Sequence, residues 1–235
     1  MDGIVRIIYG ITYDPLVRRT TEPREKGMAA SEVHRLTYEH VNCAVIVAHP
    51  NDETLWAGGT LLMHPDSCWT VVALTCRDDS DRASKFQEAI EHYGAKGIMG
   101  DLDDGPGQKP LRTVEVEDAI MALLPSHRYD LIFTHSLWGE YTRHRGHEAV
   151  PRAVMALRES GRLSTGDIWM FAYDDGGGKH LPRPVADSDV YVRLPQDIWQ
   201  RKYGIITDVY GFDPDSFEAK AATTEEAFWV IGKGK

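Results

Sequence analysis

What most limits the fold of this chain is a rhythm of short, β-branched apolar runs separated by stretches with helical spacing. The run from about Asn42 that stops at Pro50, and Trp69–Cys76, Asp130–His135 and Asp167–Tyr173, are each the length of a strand and too short for a buried helix. Between them, Lys85–Tyr93 sets Phe86, Ala89, Ile90 and Tyr93 on one helical face, with Gly94 just beyond as a C-cap. A further helix is expected from about Thr113 to Leu124, and another through Ala153–Leu157. Ile98–Gly105 reads as a short strand ending in an acidic turn, and Val190–Leu194 and Phe228–Ile231 as later strands flanking helical stretches near Ile198–Tyr203 and Ser216–Thr223. Strands that alternate with helices build parallel βαβ units, so the expected class is α/β with a mostly parallel central sheet.

At 235 residues the chain is long enough for one sizeable core and short for two. The expected organisation is a single domain: an N-terminal arm over 1–40, a core over 41–173 and C-terminal strands and helices over 174–235. Within the arm, Ile4–Tyr9 suits a short strand, the arginine- and proline-bearing stretch Pro15–Met28 an extended arm or mobile connection, and Ala30–His40 a helical turn or two. No apolar run approaches the eighteen or so residues that cross a bilayer, and the acid-bearing N-terminus is no signal peptide, so no membrane insertion and a cytoplasmic protein are expected. A formal net charge of -10 argues against a nucleic-acid binder, which needs a basic surface to neutralise phosphates. Cys43, Cys68 and Cys76 have no CxxC spacing; Cys43 and Cys76 fall in strand-like runs and read as small buried hydrophobes.

Chemistry concentrates where the first core strand stops. Val45-Ile46-Val47-Ala48 runs into His49-Pro50-Asn51-Asp52-Glu53, and the helical segment that follows carries Gly58 and Gly59, which suit close packing against the sheet. Loops at the carboxyl ends of strands are where open α/β sheets bind ligands. His49 and Asp52 offer an imidazole and a carboxylate within one turn, two of the three protein ligands that a catalytic zinc needs. After the strand Asp130–His135 comes Gly139-Glu140-Tyr141-Thr142-Arg143-His144-Arg145-Gly146-His147-Glu148, in which His144 and His147 share a face on a helical start.

This pair of motifs, an AHPDDE-like loop and an HxxH nearly a hundred residues later, resembles the PIG-L/LmbE family of zinc-dependent N-acetylglucosaminyl deacetylases from about Cys43 to about Leu157. The resemblance implies a Rossmann-like three-layer sandwich, zinc (Zn2+) bound by His49, Asp52 and His147, and His144 facing the substrate. Arg82, twelve residues before Gly94, stands at the spacing of an arginine that contacts the sugar in the family, and Asp104, with Asp103 as rival, resembles the acid that holds sugar hydroxyls. Zinc with three protein ligands keeps a position open for water, lowers that water's pKa and polarises an amide carbonyl. A carboxylate must then take a proton, and an imidazole stabilises the developing oxyanion and assists the leaving amine.

The chain departs from the family pattern at the position of that carboxylate, which is Asn51, and an amide accepts no proton at neutral pH. Three explanations follow: an inactivating change, a substitute acid among Glu53, Asp78 and Glu140, or a protein that binds without cleaving. Gly146 stands where the family often has an aspartate that orients the first histidine of HxxH; Glu148 is close by in sequence. Trp138 and Tyr141 are positioned to line a sugar ring, though packing is the commoner use of such aromatics. Of the remaining histidines, His135 among them, which read as surface or core residues, His180 in Asp174–His180, a glycine-rich stretch that reads as a flexible loop, merits testing. The expected function is removal of an N-acetyl group from an N-acetylglucosamine-type sugar or glycoconjugate. The alternatives are a silent zinc- and sugar-binding domain and an amidase on another N-acyl substrate. Assembly into a homo-oligomer is left open.

Overall fold

The computed structural model describes residues 41–103, 105, 111–141 and 144–232, with the backbone of two strands at 7–8 and 11–12. These two, β1 (Ile7–Ile8) and β2 (Ile11–Thr12), pair antiparallel. They belong to one compact unit, residues 1–33, and all elements below to a second, residues 34–235. Of the expected strand at Ile4–Tyr9 the described residues include Ile7–Ile8, which are strand, and the expectations for 15–28 and 30–40 lie outside the described residues.

In the second unit the chain runs β3 (Asn42–Val47), α1 (Asp52–Met63), β4 (Cys68–Ala73), α2 (Ser80–Tyr93), β5 (Lys96–Met99), α3 (Thr113–Leu123), β6 (Arg128–Thr134), α4 (Arg145–Glu159) and β7 (Ser164–Phe171). There follow β8 (Tyr173–Asp174), β9 (Arg183–Pro184), β10 (Val190–Arg193), α5 (Gln196–Gly204), a π-helical turn at Ile205–Val209, α6 (Phe217–Ala221) and β11 (Glu225–Ile231). Seven strands form one sheet in the order β10-β11-β7-β6-β3-β4-β5. The five from β3 to β7 are parallel, and β11 and β10 close one side antiparallel.

Strand alternation divides the core in two. Cys43, Val45 and Val47 pack with Leu55, Trp56 and Leu61 of α1, with Phe86, Ala89 and Ile90 of α2, and with Ile205 and Ala219 from the C-terminal part. Ala44, Ile46 and Ala48 point the other way, to Val116 and Ile120 of α3 and Val150, Val154 and Leu157 of α4. The result is a Rossmann-like sandwich, helices on both faces of a mostly parallel sheet. Strand β3 is its centre: Cys43 to Val47 are all 0% exposed.

Three expectations shift in detail. Strand β4 ends at Ala73, so Cys76 lies past it, half-buried and with a left-handed φ of 66°. Part of Asp174–His180 is ordered by the β8–β9 pairing, in which Asp174 faces Arg183, and by Asp175, whose backbone carbonyl accepts from the amides of Lys179 and His180. Gly58 and Gly59 do allow close approach, but to side chains beside the sheet: a Cβ at Gly58 would come within 3.0 Å of the Tyr93 hydroxyl, and one at Gly59 would overlap Leu194.

Candidate metal centre

The sheet order places a crevice where the site is. Strands β4 and β5 lie on one side of β3, whereas β6 and β7 lie on the other, so the connections leaving β3 and β6 diverge at the carboxyl end of the sheet. The loop after β3 carries His49 to Glu53; the segment after β6 carries His135, Glu140, His144 and His147.

The first loop is tightly built. Asn51 caps α1 with φ 99° and ψ -25°, a left-handed conformation that asparagine tolerates better than most residues. Its carbonyl accepts from the amides of Thr54 and Leu55 at 3.0 and 2.9 Å, and its own amide donates to Glu53 Oε2 at 3.0 Å. The His49 amide donates to Asp52 Oδ2 at 2.9 Å, which aims that oxygen back across the turn.

Three ligand atoms converge there. His49 Nδ1 is 3.1 Å from Asp52 Oδ2, His147 Nε2 is 3.2 Å from His49 Nδ1, and His147 Nε2 is 3.4 Å from Asp52 Oδ2. Ligands at zinc distances of 2.0–2.1 Å in tetrahedral array would be separated by about 3.3–3.4 Å. The triangle therefore has the size of one face of a zinc coordination sphere. It also has the right chemistry, because each atom can present a lone pair, and either a shared proton, as on His49 Nδ1, or a metal ion reconciles them at this distance.

A buried carboxylate fixes the orientation of His147. Glu140, 1% exposed, places Oε2 2.7 Å from His147 Nδ1 and 2.9 Å from His135 Nδ1, while its Oε1 accepts from the Ser136 amide at 2.9 Å. With its Nδ1 proton held by Glu140, His147 turns the Nε2 lone pair toward Asp52 and His49. Burial would push the Glu140 carboxyl up, but His135 and His147 bring it down to about 2. Burial likewise opposes ionisation of Asp52, and His147 and His135 reverse this to hold it well below the usual carboxylate range. His147 itself is raised, Asp52 outweighing its burial and the repulsion from His135.

A second group, Asp52, His135 and His147, also has metal-ligand spacing. There, however, the Ala48 amide donates to His135 Nε2 at 3.0 Å and takes up the lone pair that a metal would need. Against burial, Glu140 and Asp52 raise His135 to about 9, whereas the Ala48 amide opposes a proton on Nε2. The neutral ring, with its proton on Nδ1, satisfies all its neighbours once a cation pairs with Asp52.

His144 caps α4 next to this triangle. Its ring centroid is 4.6 Å from that of His49 and 4.8 Å from that of His147, and one ligand atom from each of the three lies within 4.8 Å of the others. Tyr141 packs against His147 at 5.2 Å, and Trp138, in the same connection, is 60% exposed. A Cβ at Gly146 would stand 3.4 Å from His144 Nδ1, within reach for a carboxylate there. Glu148 does not replace it, being paired with Arg152 at 2.9 Å.

The three acids considered as substitutes for Asn51 are otherwise engaged. Glu140 holds the two histidines. Glu53, 0% exposed, accepts from the hydroxyls of Thr54 and Tyr210 at 2.6 and 2.7 Å as well as from the Asn51 amide. Asp78 is exposed beside Arg77, whose guanidinium lowers its pKa. Arg82 lies in the first turn of α2, exposed, with Nη1 3.2 Å from Cys76 Sγ and Nε 3.6 Å from Asp79. Asp104 is outside the described residues, and its rival Asp103 is exposed and accepts from the Gly105 amide. His180 is exposed, its Nδ1 2.7 Å from the Leu181 carbonyl.

Residues 44–158 match the family model described as PIG-L, GlcNAc-PI de-N-acetylase. Over these residues the chain is similar to the PIG-L family. The PIG-L match holds every residue of the triangle together with Glu140, His135 and His144. Among solved structures, the conserved protein TT1542 from Thermus thermophilus shares the fold, with a TM-score of 0.57 at 17% identity, over 80% of this chain and 94% of that one. No curated protein matches. In the sequence the three ligands of the triangle follow from the family resemblance, Glu140 stands only as one of three candidate bases, and His135 reads as a surface or core histidine. The signal for both was available: a metal-binding histidine needs a partner for its other nitrogen, and Glu140 is the nearest acid before His147 in the same connection.

Proposed function

We propose that the PIG-L-like region of this chain is a zinc-dependent amide hydrolase that removes the N-acetyl group from an N-acetylglucosamine-type sugar or glycoconjugate. The observation that carries the reading is the triangle of His49 Nδ1, Asp52 Oδ2 and His147 Nε2, with its 3.1–3.4 Å edges, inside a family match described as a de-N-acetylase. Zinc held by these residues would polarise the amide carbonyl and lower the pKa of water. The protein's own part is orientation and proton handling. Glu140 keeps the proton on His147 Nδ1, and the His49 amide keeps Asp52 Oδ2 aimed inward. His144, in ring contact with both metal-site histidines, is placed to exchange a proton with the reacting amide. Asn51 donates and accepts hydrogen bonds but takes up no proton.

A second reading, a domain that binds zinc and sugar without turnover, is favoured by one specific observation: Glu53 and Glu140 are both fully committed to other partners and Asn51 is an amide. Metal analysis combined with acetate release from simple N-acetylated sugars tests both. One zinc per chain with zinc-dependent acetate release is expected. Bound zinc and bound sugar without acetate would select the second reading, and acetate release that survives complete removal of metal would overturn the zinc site.

A further inference from the structure

The turn that carries Asn51 and Asp52 is held from outside the PIG-L match. Tyr210 donates its hydroxyl to Glu53 Oε1 at 2.7 Å across 157 residues of sequence, and Glu53 Oε2 accepts from the Asn51 amide at 3.0 Å. Tyr210 is 7% exposed and Glu53 is 0% exposed, so water does not stand in for either partner. Thr54 Oγ1, which donates to Glu53 at 2.6 Å, lies 2.7 Å from the Tyr93 hydroxyl, so α2 backs the same carboxylate.

What brings Tyr210 there is the π-helical turn Ile205–Val209 that continues α5, closed by the Tyr210 amide on the Ile205 carbonyl at 2.9 Å. A π turn contains one residue more than an α turn, and each residue of an α-helix turns the chain by about 100°. Had α5 simply continued as α-helix, Tyr210 would be turned by about 100° from its direction toward Glu53. Such turns are rare and concentrate at functional sites, and here the extra residue has an identifiable effect.

We infer that Tyr210 is a positioning residue of the metal centre: through Glu53 it holds the left-handed Asn51 turn, and so fixes the direction of the Asp52 carboxylate on the next residue. The C-terminal segment thereby completes a site whose ligands all lie in the matched region. This inference rests on the proposed zinc triangle.

The test is zinc affinity, measured by competition with a chromophoric chelator, with thermal stability of the metal-free protein recorded separately. Tyr210→Phe keeps the ring and removes the hydroxyl; affinity is expected to fall about tenfold, the low end for loss of an orienting partner. Glu53→Gln is expected to cost more, up to about 100-fold, and the double variant no more than Glu53→Gln alone, since Tyr210 acts through Glu53. Thr207→Ala, in the same π turn but bonded to Tyr203 and Asp208, is expected to bind zinc normally. Unchanged affinity in Tyr210→Phe, an additive double variant, or an equal loss in Thr207→Ala would each overturn the inference while leaving the triangle standing. Wild-type protein that takes up no zinc would overturn the triangle and the inference together.

Discussion

Two neighbouring loops at the same end of the sheet hold their charges in opposite ways. Each contains a non-glycine residue with left-handed backbone, Asn51 after β3 and Cys76 after β4. After β3, Asp52 and Glu53 are buried, and their oxygens meet His135, His147, Thr54 and Tyr210. After β4, the side chains of Arg77, Asp78, Asp79 and Arg82 are 48–71% exposed and pair mainly with one another. The difference teaches where energy and function are concentrated. Water stabilises the second loop with or without its ion pairs, which at such exposure contribute little. The first loop depends on partners contributed by the segment after β6, by α4 and by the C-terminal segment, because a buried charge must be paired.

Substitutions should therefore separate the loops by the size of their effects. The largest is expected for His147→Ala, which leaves two ligands; zinc affinity by chelator competition should fall by more than about 100-fold, beyond what an orienting partner alone provides. Near-normal zinc content would break the comparison at its strongest point. Asn51→Asp should raise kcat for acetate release by about 100-fold with metal content unchanged, since the new carboxylate can accept a proton. If the asparagine form already turns over as fast, His144 becomes the group to vary next. Glu140→Gln leaves an amide that cannot accept from both histidines and from the Ser136 amide at once, and zinc binding should weaken by about 10–100-fold. In the second loop, Arg82→Ala should raise KM for an N-acetylated sugar about tenfold and leave zinc content intact, as loss of a binding contact does. Asp78→Asn should change neither the melting temperature nor zinc content, and a clear loss in either would place that loop on the same footing as the first.

The same contrast explains what the sequence discloses. The β3 strand, the turn at His49–Glu53 and the start of α4 are local: apolar alternation, a proline stop and a three-residue histidine spacing all lie within a few residues of what they specify. His49, Asp52 and the His144/His147 pair are therefore legible as candidate ligands, His147 being singled out only by the family resemblance, and Phe86, Ala89, Ile90 and Tyr93 as a buried face, as they are. Glu140 was legible only as an acid near the site. Its actual partners, His135 and His147, follow from how the β6 connection folds back, which no periodicity encodes. Tyr210 carries no local signal at all, because its contact depends on a π turn and on a residue 157 positions away. Cys76 read as a strand residue because the apolar run does not mark where β4 stops pairing.

The carboxylate of Glu226 has a consequence for the order in which the protein is made. It accepts from the amides of Gly59 and Thr60, well inside α1, at 2.7 and 2.8 Å, and from buried Lys202 at 2.8 Å. Glu226 lies on β11, which also stands between β7 and β10 in the sheet. A growing chain completes both motifs of the proposed zinc site long before it reaches this residue. Until then the middle of α1 lacks its native acceptor, and β7 lacks the neighbour on its outer edge. Loading with metal before β11 is in place would thus meet an unfinished scaffold.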